Sequence, residues 1–537
     1  MDPFSIDLRI CNRHLFLPVK NNSEKIVIQL LDAGHRVREF NIELDCTGTP
    51  DWWAFYDVSA FINQTLTLAI TSRLVTPDEA TWLANAIRLG DGLPDADDLY
   101  HERYRPQFHF TPRRGWNNDP NGLLYLNGEW HMYFQYNPFG IGWGNMHWGH
   151  AISRDLLHWQ ELPAALYQRS LQDMAFSGGG LVDEANHLSG RQANGPDMVL
   201  AFTSTGRGEC LAYSTDGGRT HSEYAANPVI RHFGRDPKII WYAPESKWVM
   251  IVYEEAQPNP APEEQMYAIY DSPDLKAWTR RSHLSNLYEC PELFSLPLDG
   301  DPANPRWVIH GSRQNLARSM CLIGSFDGQQ FVPEFENEHA HHGPAFYASQ
   351  VFTNAPNQRR IMIGWLAGAG YPAMPFSQGM TVPLELSLHT TPAGPRLRFY
   401  PARELENLRA GAPITGSDLS YAEVNVLLAE ATSELLDLEI TLEPDGPFTL
   451  DLRGHPLNVD PAQGRVEFAG SQGHLGAPTG QISLRILLDR AVTEIFVNQG
   501  EAAFAAMTLV DELTPLRLLG AGRVVSLLVY PLRSIWP

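Results

Sequence analysis

Three carboxylates stand in sequence settings that could support acid–base or nucleophilic chemistry. Asp119 lies between Asn118 and Pro120, Asp236 follows an arginine and precedes a proline, and Glu289 precedes a Cys-Pro pair. A nearby proline restricts the backbone, so each carboxylate is expected to point in a defined direction. Taken singly, each setting is typical of a surface turn. The set becomes informative only if the fold brings the three distant segments together.

The run Asn-Asp-Pro-Asn-Gly at residues 118–122 consists of turn-forming residues. The sequence alone therefore predicts a hairpin turn around Asp119. Trp116 stands beside it, and the apolar patterns at 123–126 and 130–134 predict two strands that follow. A carboxylate fixed at a strand edge next to a flat indole suits a site that cleaves sugars.

The composition limits the kinds of partner. The chain has 537 residues, 43% of them hydrophobic, and a net charge of −22. Its length predicts a globular protein of several domains. The negative charge argues against nucleic acid as a partner, because phosphates need a basic surface. Fourteen Trp and 19 Tyr supply flat amphipathic faces, which favour a neutral carbohydrate.

Two further features bear on location. No window approaches the length of apolar sequence that a membrane span needs, so no membrane partner is expected. The N-terminus lacks the basic and apolar parts of a secretory signal. A cytoplasmic location is slightly favoured, unless a signal was removed.

The periodicity predicts an all-β chain of three domains. Residues 1–100 are predicted to form a small β-sandwich with one helix, which begins at the N-cap Thr76 with a capping box to Glu79 and ends at Gly90. Residues 91–106, rich in Asp and Pro, are interpreted as a linker. Residues 401–537 are predicted to form a short helical connector at 403–408 and a second β-sandwich.

The middle domain, residues 101–400, consists of short strand patterns separated by turn residues. Turns of an "Asp-Leu-Trp" type recur at 154–159 and 272–278, and more loosely at 325–328. Weak repetition in an all-β region of this size predicts a propeller of about five blades. Because inner strands converge on one axial funnel, Asp119, Asp236 and Glu289 are expected to meet there.

From residue 108 onward the chain resembles glycoside hydrolase family 32, the invertase, inulinase and levanase group. The motifs that carry the resemblance occur in family order: Trp116-Asn117-Asn118-Asp119-Pro120-Asn121-Gly122, Phe134-Gln135-Tyr136-Asn137-Pro138, the Trp143-Gly144-Asn145 to His150-Ala151 segment, Phe176-Ser177-Gly178, Arg235-Asp236-Pro237, Glu289-Cys290-Pro291, Phe346-Tyr347-Ala348 and Gly364-Trp365. The resemblance implies a five-bladed β-propeller followed by a β-sandwich, which agrees with the strand patterns.

The resemblance also implies a retaining exo-β-fructosidase that releases fructose from sucrose and fructans. Asp119 would be the nucleophile, Glu289 the acid and base, and Asp236 would hold fructose hydroxyls. Such chemistry needs carboxyl groups about 5–5.5 Å apart and an acid that keeps its proton near neutral pH, for which Cys290 and neighbouring anions are the expected cause. Substrate binding is implied for Trp116, Asn118, Gln135, Trp143, Phe176, Ser177, Arg235, Cys290, Tyr347 and Trp365. Tyr347 is expected either to bond to the acid or to pack.

Other interpretations stay open at this point. A fructosyltransferase would use the same covalent intermediate, and a non-catalytic fructan-binding propeller belongs to another class. No basic cluster indicates a phosphorylated sugar, no cofactor is implied, and His147 and His150 are poorly spaced for a metal. Departures from the family pattern at His341 and Leu384 predict that the loops there select the leaving group. The N-terminal domain is expected to serve packing or homo-oligomer formation, or less readily carbohydrate binding.

Overall fold

The computed structural model describes residues 3–94, 96–192, 195–258, 260–314, 319–368, 370–476 and 480–537. The N-terminal part contains two antiparallel sheets, ordered β1-β6-β3-β4 and β5-β2-β7, that share one apolar core. Its strands are β1 (Ser5–Arg9), β2 (His14–Val19), β3 (Ile26–Asp32), β4 (His35–Ile42), β5 (Trp52–Asp57), β6 (Thr65–Ile70) and β7 (Arg88–Gly90). The predicted small sandwich is present.

The helix of this domain begins where the sequence predicts and ends earlier. Helix α1 (Pro77–Ala86) has the capping box between Thr76 and Glu79. The prediction that Gly90 closes the helix is wrong, because residues 88–90 form strand β7 and pair with β2. Backbone pairing with a sheet has outweighed local helical pattern here.

The interpretation of residues 91–106 as a simple linker is also wrong. Arg105 is fully buried, with its guanidinium 3.5 Å from the ring centre of Phe376 and paired with Glu102 at 2.6 Å. A buried, paired arginine fixes the segment against the next domain.

The middle of the chain is built from antiparallel four-stranded units. Their strands are β8 (Gly115–Leu126), β9 (Glu129–Asn137), β10 (His147–Ser153), β11 (Gln160–Leu166), β12 (Ala175–Phe176), β13 (Gly180–Asp183), β14 (Asp197–Ser204), β15 (Gly208–Ser214), β16 (Ser222–Glu223), β17 (Phe233–Tyr242), β18 (Lys247–Glu255), β19 (Gln265–Ser272), β20 (Thr279–Ser285), β21 (Tyr288–Leu298), β22 (Asp301–Ser312), β23 (Met320–Phe326), β24 (Phe331–Asn337), β25 (Phe346–Val351), β26 (Ile361–Leu366), β27 (Phe376–Ser377), β28 (Leu384–Thr391) and β29 (Gly394–Pro401). Strand β27 returns to pair in parallel with β8, joining the last unit to the first.

The inner strands form a closed ring of contacts. Strand β8 packs against β13 and β25, and the ring continues from β13 to β17, from β17 to β21 and from β21 to β25. A closed ring of inner strands is the arrangement of a β-propeller, so that prediction is confirmed. The number of blades stays a prediction, which this ring supports, because the strands from β21 to β29 are joined in one sheet.

The recurrent turns have one structural role. Each joins the third and fourth strands of a unit, and Asp155, Asp274 and Asp327 each accept two backbone N–H groups within their turn. An aspartate that caps its own turn fixes the local backbone. The repeat seen in the sequence therefore marks a repeated element of the fold.

The C-terminal part contains two facing sheets with their own core, ordered β30-β40-β31-β36-β37-β38 and β35-β34-β33-β32-β39. Their strands are β30 (Ile414–Ser420), β31 (Leu436–Pro444), β32 (Phe448–Leu452), β33 (His455–Asp460), β34 (Arg465–Phe468), β35 (Ser471–His474), β36 (Ile482–Leu488), β37 (Val492–Val497), β38 (Ala502–Met507), β39 (Arg517–Leu519) and β40 (Gly522–Pro531). The predicted connector is the 3₁₀ helix Arg403–Leu408. Helix α2 (Tyr421–Leu428) was not predicted, although Ser420 and Glu423 form a capping box before it.

Candidate active site

Asp119 lies in an irregular part of the inner strand β8. The pairing of β8 with β9 shifts register between Asn117 and Pro120 and again beyond Asn121. The predicted hairpin turn around Asp119 is therefore wrong. These residues form bulges, which re-aim side chains within a strand. Gly122 is required there, since its φ is +56° and a Cβ would lie 2.7 Å from the Tyr133 ring.

Hydrogen bonds fix the carboxylate of Asp119. Asn118 Nδ2 donates to Oδ1 at 3.0 Å, and Ser177 Oγ donates to Oδ2 at 2.6 Å. Burial raises the pKa of Asp119 to about 6; the hydrogen bonds from Ser177 and Asn118 oppose this rise, and the charge of Glu289 adds to it. Asn118 and Ser177 therefore orient the Asp119 carboxylate and favour its ionised form through these hydrogen bonds.

Asp236 lies at a bulge of β17 with a φ of +67°. Its backbone N–H donates to Thr203 Oγ1 at 3.1 Å, and its Oδ2 accepts from the Cys290 N–H at 3.0 Å. Burial raises the pKa of Asp236 to about 7, against the opposing effect of Arg235 and with the help of the charges on Glu289 and Asp119. Three carboxyl groups therefore influence one another electrostatically in this site.

Glu289 is the second residue of the inner strand β21 and is held by two side chains. Arg235 Nη2 donates to Oε1 at 2.7 Å, and the Tyr347 hydroxyl donates to Oε2 at 2.6 Å. Of the two alternatives for Tyr347, the structure shows the hydrogen bond. Arg235 also approaches Glu255 at 3.3 Å, so the guanidinium lies between two carboxylates.

The predicted residues surround one cavity of about 170 Å³. Its lining consists of Asn118, Asp119, Gln135, Trp143, Phe176, Ser177, Arg235, Asp236, Glu289, Tyr347 and Trp365. Two predicted residues support this lining from outside it. Trp116 donates its Nε1–H to Asn118 Oδ1 at 2.9 Å, and Cys290 Sγ lies 3.5 Å from Asp236 Oδ2. The Cys290 thiol faces Asp236 and Asp119, and its expected effect on the neighbouring Glu289 stays a prediction.

The aromatic wall of the cavity is formed by edge-to-face pairs. Trp116 packs on Trp365 with ring centres 6.2 Å apart, and Trp143 packs on Phe176 at 5.9 Å. Trp143 is 52% exposed, which places it at the rim. The arrangement offers carboxylates at the base and indole faces at the edge, as a sugar ring requires.

Comparison with known sequences matches two models over most of the chain. Residues 109–401 match the glycosyl hydrolases family 32 N-terminal domain, and residues 404–512 match the family 32 C-terminal domain. The chain belongs to glycosyl hydrolase family 32. It is therefore a glycoside hydrolase, and residues 1–108 lie outside both matched domains.

Relatives within family 32 are similar over most of their length. A levanase of Bacillus subtilis is 34% identical over 82% of this chain and 72% of its own. An extracellular exo-inulinase of Aspergillus ficuum is 31% identical over 81% of this chain and 96% of its own. The crystal structure of exo-inulinase from Aspergillus awamori has a TM-score of 0.71 at 28% identity, covering 81% of this chain and all of that one.

A larger cavity, of about 680 Å³, lies away from the family 32 carboxylates. It is lined by residues at the far ends of β13, β17, β21 and β25, including Asp183, Tyr242 and Val351. Lys238 and Glu292 form a buried ion pair at 3.0 Å in its wall. The three carboxylates that the sequence analysis singled out line the smaller cavity instead, which makes that cavity the candidate active site.

The two departures from the family pattern do not lie at the active site. His341 is buried and stacks on Phe346 with ring centres 3.9 Å apart, while Leu384 is fully buried in the core. Neither residue lines the catalytic cavity. Both side chains serve packing within the propeller and against the C-terminal sheets, and the selection of the leaving group by the loops around them stays a prediction.

Several supporting residues were missed by sequence reasoning. Thr203 and Tyr288 contact Asp236 and Arg235, and Gln378 accepts from the Trp365 indole at 3.1 Å. Tyr267 donates its hydroxyl to the carbonyls of residues 288 and 289. Thr203 and Tyr267 come from strands whose patterns only indicated core, and Gln378 follows β27, so the sequence carried no signal for these three, whereas Tyr288 directly precedes Glu289 in the sequence.

No metal cluster or membrane-spanning helix is present among the residues that the structure describes. Among them, no group of three or more His, Cys, Asp or Glu is placed to hold a metal ion. His150 instead lies 3.1 Å from His131, and His147 contacts the Asn145 carbonyl. No helix in the described ranges is long and apolar enough to cross a membrane.

Proposed function

We propose that this protein is a retaining exo-β-fructosidase that hydrolyses terminal non-reducing β-D-fructofuranosyl residues of sucrose, fructo-oligosaccharides and fructans. The observation that carries the proposal is the presence of Asp119 and Glu289 in one cavity of about 170 Å³. Such a cavity has room for one furanose ring rather than for a length of polymer. The names of the levanase and exo-inulinase relatives support the substrate class.

The first step forms a bond between Asp119 and the anomeric carbon of the fructosyl unit. The bond from that carbon to the leaving-group oxygen breaks, and Glu289 gives its proton to this oxygen. Ser177 and Asn118 hold the attacking carboxylate in place. A nucleophile fixed by two donors needs little reorientation before attack.

The second step hydrolyses the covalent fructosyl-enzyme. Glu289 takes a proton from water, the water oxygen attacks the anomeric carbon, and Asp119 leaves with its electron pair. Two inversions give net retention. Arg235 and Tyr347 orient Glu289 in both roles through their hydrogen bonds.

Asp236 is proposed to hold the sugar ring. Its carboxyl lines the cavity beside both catalytic groups, and hydrogen bonds from sugar hydroxyls to a carboxylate are stronger than those between neutral groups. Gln135 supplies a further polar contact, while Trp143, Phe176 and Trp365 form the apolar wall. These contacts orient the furanose as oxocarbenium character develops at its anomeric carbon.

The test is a time course of products from sucrose, inulin and levan, resolved by chromatography. Fructose as the sole early product of the polymers is expected for the unaltered protein, with Asp119→Asn and Glu289→Gln as matched inactive controls. Early oligosaccharides larger than sucrose, formed with sucrose as the only substrate, would instead indicate a fructosyltransferase. Binding without turnover of any substrate would overturn the proposal in favour of a fructan-binding propeller.

A further inference from the structure

The loop 138–146 of the propeller packs into the apolar core of the N-terminal domain. Phe139 is fully buried and stacks on Phe40 of β4, with ring centres 3.8 Å apart and planes 5° from parallel. Phe139 is a member of the apolar core of the N-terminal sheets, and Ile141 packs against that core. Trp143, which lines the catalytic cavity, is two residues farther along. The rim of the active site therefore continues directly into another domain.

Asn145 fastens the end of this loop to the edge strand β4. Its side-chain Oδ1 accepts from the backbone N–H of Asn41 at 3.0 Å, and its Nδ2 donates to the Asn41 carbonyl at 2.8 Å. The same Nδ2 lies 3.0 Å from Oδ1 of Asn137, which closes the base of the loop. The side-chain amide thus bonds to β4 as a neighbouring strand would.

A second contact holds the neighbouring segment to the same strand. Gln168 Nε2 donates to the Glu39 carbonyl at 2.6 Å, and the Leu171 N–H donates to Glu39 Oε2 at 3.1 Å. Glu39 is buried, so these bonds are shielded from water. By contrast, Asp119 and Glu289 lie on β8 and β21, which belong to the ring of inner strands.

We propose that the N-terminal domain positions Trp143 for substrate binding, with Phe40 and Asn145 as the positioning residues. The proposal rests on the proposed fructosidase function of the same cavity. By fixing Trp143, the N-terminal domain strengthens the binding of the sugar at the rim of the cavity. It leaves the two-step chemistry at Asp119 and Glu289 unchanged. Loosening the loop therefore raises KM and leaves kcat close to its original value, the pattern of lost uniform binding.

The test compares Phe40→Ala and Asn145→Gly with the control Leu68→Ala, using sucrose and an inulin oligosaccharide. Leu68 is a fully buried residue of β6, two strands away from β4, so its truncation weakens the same core without touching the loop. Asn145 has a φ of +46°, which glycine accepts. We expect KM to rise about three- to tenfold in the two loop variants, with kcat within about twofold, and no rise in the control.

A double-variant comparison separates positioning from general loss of stability. In a Trp143→Ala background, Phe40→Ala is expected to cause no further rise in KM, because both changes act through the same side chain. Unchanged KM in folded Phe40→Ala and Asn145→Gly would overturn the proposal, as would an equal rise in Leu68→Ala. If Phe40→Ala does not fold, the KM of Asn145→Gly relative to that of Leu68→Ala decides whether the proposal stands. Absence of any turnover by the unaltered protein would instead count against the proposed function.

Discussion

At the scale of single residues, the candidate site places the carboxyl groups of Asp119 and Asp236 in a buried environment close to Glu289. Burial raises the pKa of Asp119 to about 6 and that of Asp236 to about 7, and in both cases the charge of Glu289 adds to the rise. A carboxyl whose ionised form is disfavoured in the folded state reduces stability once it ionises. The catalytic arrangement is therefore expected to weaken the fold at neutral pH.

Asp119→Asn is expected to abolish turnover and to stabilise the protein at neutral pH. The folded-state pKa of about 6 exceeds the ordinary value of 3.8, so the free energy of unfolding falls as pH rises through this window and stays low above it. Asparagine does not ionise, so Asp119→Asn avoids this fall in the free energy of unfolding. The variant should be more stable than the unaltered protein by about 1–3 kcal/mol at about pH 7.5. Denaturant unfolding at about pH 7.5 and about pH 4 measures the difference, which should vanish at the lower pH.

The exposed Glu24 supplies the control for this prediction. Glu24→Gln removes a carboxyl at the surface of the N-terminal domain and should leave stability unchanged at both pH values. Lower stability of Asp119→Asn at both pH values would show that the hydrogen bonds from Asn118 and Ser177 outweigh the cost of burying the charge.

At the scale of elements, the start of β21 is held in an unfavourable backbone conformation. Glu289 and Cys290 have φ values of +42° and +49°. Such conformations cost about 1–3 kcal/mol each and persist only where neighbours impose them. The Tyr267 hydroxyl does so by donating toward the carbonyls of Tyr288 and Glu289 at 3.0 and 2.8 Å. Strand β19 therefore determines where the proposed acid lies.

Tyr267→Phe is expected to lower kcat about tenfold with little change in KM. The ring stays in place, while the carbonyls lose the donor that fixes the backbone of Glu289, and a displaced acid transfers its proton less well. Steady-state kinetics with sucrose measures the effect. Tyr270→Phe is the matched control, since its hydroxyl donates to Glu254 from the same strand and outside the cavity. Equal loss of kcat in both variants would refute the role of Tyr267.

At the scale of the whole molecule, a buried charge network joins the propeller to the C-terminal sheets. His109 lies 2.9 Å from both Asp489 Oδ2 and Glu494 Oε1, and all three side chains are fully buried. Although burial lowers the pKa of His109, its hydrogen bonds to Asp489 and Glu494 raise it to about 9. Glu494 also accepts from the backbone N–H of Val382 in the propeller at 2.8 Å.

Stability is expected to fall as pH rises from about 6.5 to about 9. The pKa of His109 is higher in the folded state than its ordinary 6.5, so its contribution is complete below about pH 6.5 and lost as the folded-state pKa is passed. Thermal unfolding across this range measures the slope, which His109→Gln should flatten. His158→Gln is the control, because His158 also pairs with a carboxylate, that of Asp155, but lies at the surface, where water and salt weaken the pair. A wild-type slope retained in His109→Gln would contradict the assignment.

The sequence predicted features that are encoded within a few neighbouring residues, and it failed for features that depend on pairing with distant strands. The carboxylates were found because family motifs surround them, and the Asp-capped turns were recognised because each is complete within a few residues. The bulges at Asp119 depend on pairing with β9, and the end of α1 depends on the pairing of residues 88–90 with β2. Such pairing partners are distant in sequence. Helix α2 could have been predicted from the capping box at Ser420.

The central claim is that Asp119 forms a covalent bond to the fructosyl unit. The most direct measurement uses Glu289→Gln with an aryl β-fructofuranoside, whose leaving group needs no proton, followed by acid quenching and peptide mass analysis. Without its base the intermediate should accumulate, and the peptide containing Asp119 should carry the mass of one fructosyl unit. Release of one equivalent of the aryl alcohol with no modified peptide, or modification at Asp236 instead, would contradict the account.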